Sequence, residues 1–269
     1  MKAIIFPSLT RTKSFFFGLL TLCIAASCLV GCKPDEEDTI NSSGNSGGGG
    51  GSGTTTGSTH SCGEVDIHNP TLSYGSVQDA EGNSYKTIAI GNQVWMAENL
   101  NTSVYRNGDP IENVTDVNEW LHSDTVETGA WCYYNNNGNA FECPYGKLYN
   151  YHAIKDDRGV CPVGWHIPSD SEWQQLVASI DPALVLTVMS QESAIAGAAL
   201  TSAWNPSWWT KPETNSSGFS NIGGGARYSN GFQDFEDKIE TPLGNYWSTS
   251  EIALFGTGYV LGTQISNVD

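Results

Sequence analysis

The sequence predicts a small, irregular α+β domain built from hairpins, one or two helices and long loops. Three observations lead to this class. Alternating residues around a Gly-Asn turn predict a hairpin, a Ser-x-x-Glu capping signal predicts a helix, and the segment after residue 204 holds too many Gly, Pro, Ser and Asn residues for regular elements. Roughly 200 residues follow the N-terminal segments, which is enough for one domain with a core.

The hairpin lies at residues 84–100 and a further core strand at residues 244–251. Polarity alternates along the first half of the hairpin, and Gly91-Asn92 favours the turn. Residues 129–154 are rich in aromatic residues and asparagine. Their Gly and Pro turn signals predict short strands and an ordered loop.

Residues 161–176, with the sequence CPVGWHIPSDSEWQQL, predict a turn followed by a helix. Ser169 and Glu172 fit a capping box, in which the side chain of each residue accepts the backbone N–H of the other. Apolar residues then repeat at helical spacing. His166 precedes this cap on the approach strand, so we expect it to be structural. A second helix is predicted between residues 183 and 200.

Three tryptophans in the loop after this second helix are candidate ligand-binding residues: Trp204, Trp208 and Trp209. Exposed aromatic faces stack on sugar rings and anchor interfaces. The alternative is that these indoles fill the core, which is the more common fate of large aromatic residues.

Residues 1–31 are typical of a lipoprotein signal peptide. Basic residues precede residue 14, and the apolar run at 15–30 is too short and interrupted for a transmembrane helix. The tetrapeptide Leu29-Val30-Gly31-Cys32 resembles the lipobox of bacterial lipoproteins, which implies lipidation at Cys32 and stable anchoring by several acyl chains, palmitate among them. The alternative is an ordinary secretory signal with an incidental cysteine.

Residues 32–61 are predicted to be a linker between the membrane and a globular head. The acidic run at 35–38 resembles the signal that sends Bacteroidetes lipoproteins to the outer face of the outer membrane, although such a run is also typical of a solvated tether. Residues 39–59 are nearly all Gly, Ser, Thr and Asn, a composition that predicts a flexible coil spanning about 25 Å. Residues 62–76 form an N-terminal extension to the domain, which occupies 77–269.

Four cysteines follow the predicted lipidation site: Cys62, Cys132, Cys143 and Cys161. Their number fits an oxidising compartment, and they allow three pairings among which the sequence does not choose. We favour the local Cys132–Cys143 bond with Cys62–Cys161 as its complement. A zinc site is the rival interpretation, but no C-x-x-C pair is present and the five histidines are scattered.

Composition excludes several classes of function. The net charge of −17 disfavours binding to nucleic acid and to anionic membrane surfaces. The sequence lacks a G-x-S-x-G elbow, an H-E-x-x-H motif and a phosphate-binding glycine loop. We therefore expect no catalytic residue, no cofactor and no metal site.

Six stretches occur in the order seen in a known family: KTIAIGNQVWMAENLN, YGKLYNYHAI, CPVGWHIPSDSEWQQL, NSSGFS, GGGARYSNGF and YWSTSE. Over residues 77–255 the chain resembles the Fibrobacter succinogenes major paralogous domain family of secreted and lipoprotein domains. The resemblance implies an irregular α+β fold, similar to the C-type-lectin-like and formylglycine-generating-enzyme folds. It brings no catalytic residues with it.

Two features depart from the family pattern. The loop at 222–227 lacks the family's tyrosine, and the chain stops without the closing strand that carries a Ser-Val-Arg-Cys sequence. If Cys161 pairs with that last cysteine in the family, it lacks that partner here.

These observations favour a cell-surface lipoprotein with a non-enzymatic binding or adhesion domain for a glycan or protein ligand. A structural surface or appendage component is the alternative. An enzyme related to the formylglycine-generating fold is a weaker one, because that chemistry uses a late pair of cysteines and no cysteine follows Cys161.

Overall fold

A computed structural model of the chain describes residues 30–35, 67–183, 193–204, 213–233, 235, 244–254 and 257–265. Its helices are α1 (Val117–Thr125), α2 (Gly138–Phe141), α3 (Tyr151–Lys155), α4 (Asp170–Ile180) and α5 (Ala194–Leu200). Its strands are β1 (Lys33–Pro34), β2 (Gly75–Gln78), β3 (Ser84–Ile90), β4 (Gln93–Met96), β5 (Glu112–Asn113), β6 (Ala130–Cys132), β7 (Leu148–Tyr149), β8 (Trp165–His166), β9 (Ala226–Tyr228), β10 (Gly231–Gln233), β11 (Gly244–Leu254) and β12 (Thr257–Ile265). The predicted α+β class is confirmed.

The strands form several small sheets rather than one large one. Antiparallel β2, β3 and β4 make the first, and this confirms the predicted hairpin, whose turn places Gly91 at a positive φ that favours glycine. In the second, β6 pairs parallel to β5 and antiparallel to β7. The pairs β1–β8, β9–β10 and β11–β12 are antiparallel and two-stranded.

The helices agree with the sequence only in part. Helix α4 begins at the predicted capping box, with both reciprocal bonds between Ser169 and Glu172 present. Residues 129–154 were predicted as strands and a loop, but they also form a 3-10 turn and the two short helices α2 and α3. Both α2 and α3 begin at an asparagine whose side chain accepts a backbone N–H. Strand β12, which pairs with the predicted strand β11, was not anticipated.

Two clusters of buried apolar side chains form most of the core. The first centres on Trp95 and Trp173, whose ring centroids are 4.7 Å apart. The second holds Tyr149 and Trp247, with the Trp247 indole N–H donating to the Tyr149 carbonyl at 2.9 Å. Helix α4 packs its apolar face, which includes Trp173, into the first cluster.

The N-terminal segment Val30–Asp35 is built into the fold, so it packs with the domain although the predicted boundary between signal peptide and linker falls within it. Val30 and Cys32 are fully buried in the second core cluster, and Lys33–Pro34 pairs with β8. None of the helices in the described ranges is long and apolar enough to cross a membrane.

Candidate binding cleft and N-terminal groove

The N-terminal segment lies in a groove of the domain, which we call the N-terminal groove: the backbone of residues 96–100, β8 and the start of α4. The Met96 N–H donates to the Cys32 carbonyl at 3.1 Å, and the Leu100 N–H donates to the Val30 carbonyl at 3.2 Å. A Cβ placed on Gly31 would lie 3.6 Å from the Trp173 ring. The segment is therefore bonded along its length and packed against the core.

A disulfide joins Cys32 to Cys161, with the two Cα atoms 5.9 Å apart. The pairing of β1 with β8 brings these distant residues together, 129 positions apart in sequence. The predicted Cys62–Cys161 bond is therefore wrong, because the Cys161 sulfur is already bonded. Cys62 itself lies outside the described residues.

The predicted Cys132–Cys143 bond is also wrong. Cys143 is disulfide-bonded, whereas Cys132 is a buried thiol of the first core cluster. Strand β6 places Cys132 among apolar side chains, while Cys143 is half-buried after the end of α2. Proximity in sequence was a poor guide because two helical turns lie between the two cysteines.

The disulfide bears directly on the predicted lipidation of Cys32. One sulfur cannot carry both a disulfide and a thioether-linked lipid, so the two modifications exclude each other in a single molecule. Cleavage before Cys32 would also remove Val30 and Gly31, which are built into the groove. The structure describes the disulfide form, and lipidation of Cys32 stays a prediction about another covalent form.

A charged cluster fixes the other end of the segment. The Glu172 carboxylate lies 3.0 Å from the Lys33 ammonium and 3.0 Å from His166 Nε2, and it accepts the Ser169 N–H at 2.7 Å. His166 Nδ1 lies 2.9 Å from an Asp35 carboxylate oxygen. Two residues of the N-terminal segment therefore pair with groups at the entrance of α4.

The cluster shifts the pKa of both its central groups. The hydrogen bond to Glu172 raises the pKa of His166 above its ordinary value, against the effect of burial. Burial alone would raise the pKa of Glu172, but hydrogen bonds from His166, Ser169 and Lys33 outweigh it and hold that pKa well below its usual range. These contacts give His166 a role in holding the segment.

A separate polar cleft of about 400 Å³ opens on another part of the surface. Its lining residues are Glu81, Asn83, Asn101, Ser103, Trp131, Tyr133, Glu142 and Lys147. We call this the polar cleft. Two aromatic rings and two carboxylates thus meet amide, hydroxyl and ammonium groups in one concave surface.

The aromatic part of the polar cleft comes from one strand and its continuation. Trp131 lies on β6 and Tyr133 directly follows that strand, so their side chains share a face two residues apart. The ring centroids are 5.2 Å apart in an edge-to-face arrangement, and the Trp131 indole N–H donates to the Ile111 carbonyl at 3.0 Å. Both rings are half-buried, which leaves part of each facing the cleft.

Lys147 supplies the cation beside these rings. Its ammonium lies 4.6 Å from the Trp131 ring centroid and 5.3 Å from that of Tyr133, and it donates to the Asn101 carbonyl at 2.6 Å. Burial lowers the pKa of Lys147, while the charges of Glu81 and Glu142 oppose that shift.

The carboxylates stand at the rim of the polar cleft. Glu81 accepts the Ser103 N–H at 2.7 Å and also the Ser103 hydroxyl, while Glu142 accepts from the Asn101 amide at 3.4 Å. Burial would raise the pKa of Glu81, but the bonds from Ser103 hold it below its ordinary value. Glu81 and Glu142 are both exposed, so their other lone pairs can accept hydrogen bonds from a ligand.

Of the three tryptophans predicted to bind ligand, the structure describes Trp204 alone, and it does not line the polar cleft. Trp204 is half-buried and packs against the small cluster of Ile67, Tyr145 and Ile222. Trp208 and Trp209 fall outside the described residues. The prediction for Trp208 and Trp209 therefore stays a prediction.

Sequence reasoning missed the polar cleft, although one signal was available. An aromatic pair two residues apart at the end of a strand, in a stretch rich in asparagine, marks a face with both rings and polar groups. Glu81 and Glu142 lie outside this strand, in other turns of the chain, so no local sequence pattern links both carboxylates to these rings. Among the side chains that the structure describes, no group of three or more His, Cys, Asp or Glu residues is placed to hold a metal ion.

Comparison with known proteins gives one match. The profile of a family described as the Fibrobacter succinogenes major domain matches residues 88–257, which is more than half of the chain. No curated protein and no solved structure matches. The predicted likeness to the C-type-lectin-like fold accordingly stays a prediction.

Proposed function

We propose, from the premise that this chain belongs to the Fibrobacter succinogenes major domain family, that it is a non-enzymatic binding protein of the cell surface. Its ligand site is the polar cleft, and the ligand class is a neutral glycan. The observation that carries this proposal is that the Trp131 and Tyr133 rings line one open cleft together with hydrogen-bond donors and acceptors.

The chemistry of the polar cleft matches that of a sugar. Aromatic rings pack against the C–H faces of pyranoses, carboxylates accept from hydroxyl groups, and amide and ammonium groups donate to them. The exposed carboxylates of Glu81 and Glu142 and the net charge of −17 disfavour an anionic ligand. A neutral polyhydroxylated ligand satisfies each of these groups without bringing a like charge to the rim.

A glycan array with the full-length chain in detergent tests the proposal, using wild-type protein and a Trp131→Ala variant. We expect neutral glycans to bind, and the variant to lose about tenfold or more in affinity, equivalent to about 1.4 kcal/mol. The matched control is the double variant Trp208→Ala, Trp209→Ala. Binding that is lost in this control but kept in Trp131→Ala would move the site to the tryptophan loop, and no binding by wild-type protein would refute the glycan ligand.

The location follows from the N-terminal sequence. We propose export by the signal at residues 1–31 and, in molecules acylated at Cys32, attachment to the outer membrane with the acidic head facing outward. Labelling cells with an alkynyl fatty acid tests the anchor. Wild-type and Cys161→Ala chains should take up label and Cys32→Ala chains should not; label retained in Cys32→Ala would refute this anchor.

A structural surface or appendage role is the second candidate function. The observation that favours it is the N-terminal groove, since a bound terminal segment is a means of joining subunits. The two candidates are separable because they use different surfaces.

A further inference from the structure

We propose that the N-terminal groove also accepts the Val30–Asp35 segment of a second copy, so that copies join head to tail through Cys32 of one chain and Cys161 of the next. This proposal does not depend on glycan binding. It commits to one occupant, a second copy of this chain, because the segment seated in the groove shows the chemistry that the groove recognises.

The backbone contacts of the segment are those of an added β-strand. Lys33 and Pro34 lie in antiparallel register with His166 and Trp165, and the Asp35 N–H donates to the Gly164 carbonyl at 2.7 Å. Every acceptor or donor in the groove belongs to residues after position 67. The segment thus binds as a short peptide would, by main-chain pairing with specific side-chain contacts added.

The side chains make the recognition selective. Lys33 pairs with Glu172, and their side chains are only 8% and 14% exposed. Asp35 pairs with His166 at 2.9 Å. A positive and a negative residue of the segment each meet the opposite charge in the groove, and Cys32 reaches Cys161 between the backbone contacts.

The connection to the rest of the chain favours the chain's own segment through entropy alone. Residues 36–66 join the segment to the domain, 31 positions whose composition is dominated by Gly, Ser and Thr. The flexible coil predicted from that composition would span roughly 30 Å and give an effective concentration on the order of 1 mM for the segment of the same chain. A second copy offers identical contacts, so exchange costs only this entropic advantage, which is the condition for domain swapping.

The resulting contact is heterologous, because the segment and the N-terminal groove are different surfaces. Each copy can donate one segment and accept another, so copies can join reciprocally in a closed ring or head to tail in an open chain. A copy acylated at Cys32 has no donor sulfur but keeps Cys161, and it would form the membrane-attached end. Each link forms from two thiols with release of two protons and two electrons, which reduce a disulfide oxidant such as oxidised glutathione to two thiols.

Two complementary variants of the full-length chain test the exchange. Cys32→Ser can only accept a covalent link and Cys161→Ser can only donate one. Each carries a different tag, is made by cell-free synthesis without lipidation, and is mixed with the other under oxidised glutathione. We expect a heterodimer on non-reducing gels that disappears with dithiothreitol, with the Cys32 and Cys161 peptides joined, and no such product from either variant alone.

A charge reversal on the donor shows whether the link uses the N-terminal groove. Lys33→Glu in the donor places a like charge against Glu172 and should reduce the yield of heterodimer. The matched control, Thr39→Glu, adds a negative charge outside the segment and should leave the yield unchanged. Equal yields from both donors would overturn the groove as the docking site.

Isotope mixing keeps the proposal testable if a variant fails to fold. Wild-type chains labelled with ¹⁴N and ¹⁵N are reduced, mixed and reoxidised, and the linked Cys32–Cys161 peptides are analysed by mass spectrometry. Peptide pairs with one light and one heavy member demonstrate exchange. If every pair carries a single isotope, the exchange does not occur and the proposal fails.

Discussion

The N-terminal groove and the polar cleft are both concave and polar, but they differ in how far their charges are satisfied. In the groove, Lys33 and Glu172 are nearly buried and paired at 3.0 Å. In the cleft, Glu81 and Glu142 are exposed and face an open volume of about 400 Å³. Lys33 and Glu172 need each other because burial removes the hydration of both charges, whereas the exposed carboxylates of Glu81 and Glu142 remain hydrated.

Of the changes considered, removal of the disulfide in the N-terminal groove should have the largest effect on the free energy of unfolding. We expect the double variant Cys32→Ser, Cys161→Ser to lose about 2–5 kcal/mol in free energy of unfolding, since the bond constrains an unfolded loop of 129 residues. Urea denaturation of both proteins, followed by tryptophan fluorescence, measures the difference. Equal midpoints would mean that the groove holds the segment without help from the covalent bond.

A smaller effect is expected from Glu172→Gln, and it should depend on pH. The depressed pKa of Glu172 means that its contribution to stability is present above about pH 4.5 and is lost as the pH falls toward the folded pKa. The raised pKa of His166 means that its contribution is full below about pH 6.5 and is lost as the pH rises through the folded pKa. Both contributions are therefore full between these values, in a cluster that also contains Lys33 and Asp35.

The measurement for this variant is denaturation at pH 3, 5.5 and 9. The loss of charged hydrogen bonds should cost about 1.5–3 kcal/mol near pH 5.5 and less at either extreme. A difference that stays constant across the three pH values would show that the charge of Glu172 does not contribute to stability.

The smallest effect on stability is expected in the polar cleft. Glu142→Gln keeps the shape of an exposed side chain, so the free energy of unfolding should change by no more than about 0.5 kcal/mol. The same variant should bind neutral glycans more weakly, because one of the two acceptor oxygens of the carboxylate is replaced by an NH₂ donor. Thermal unfolding and the glycan array provide the two readouts, and a destabilisation as large as that of Glu172→Gln would assign Glu142 a structural role.

The sequence predicted those elements whose signals are local. The hairpin around Gly91 and the capping box of Ser169 and Glu172 depend on residues a few positions apart, and both formed as expected. The short helices between 129 and 154 were missed because single asparagine caps are weak evidence beside so many turn signals.

The candidate sites depended on long-range contacts, and here local signals were insufficient. Cys32 meets Cys161 across 129 positions, and Val30 and Gly31, which are buried in the fold, fit the end of a signal peptide equally well. The family resemblance over 77–255 was confirmed by the match at 88–257, yet it carried no site residues. The polar cleft draws on turns, strands and loops that only the folded chain brings together.

The disulfide also determines what a protease could achieve in the segment between Asp35 and Ile67. Within one molecule of the disulfide form, both ends of that segment are attached to the same domain, one through Cys32–Cys161 and one through the backbone. A single cut there would open a covalent ring without releasing either fragment. The nicked protein would gain only the mass of one water molecule and would keep its N-terminal strand until a reductant separated the two pieces.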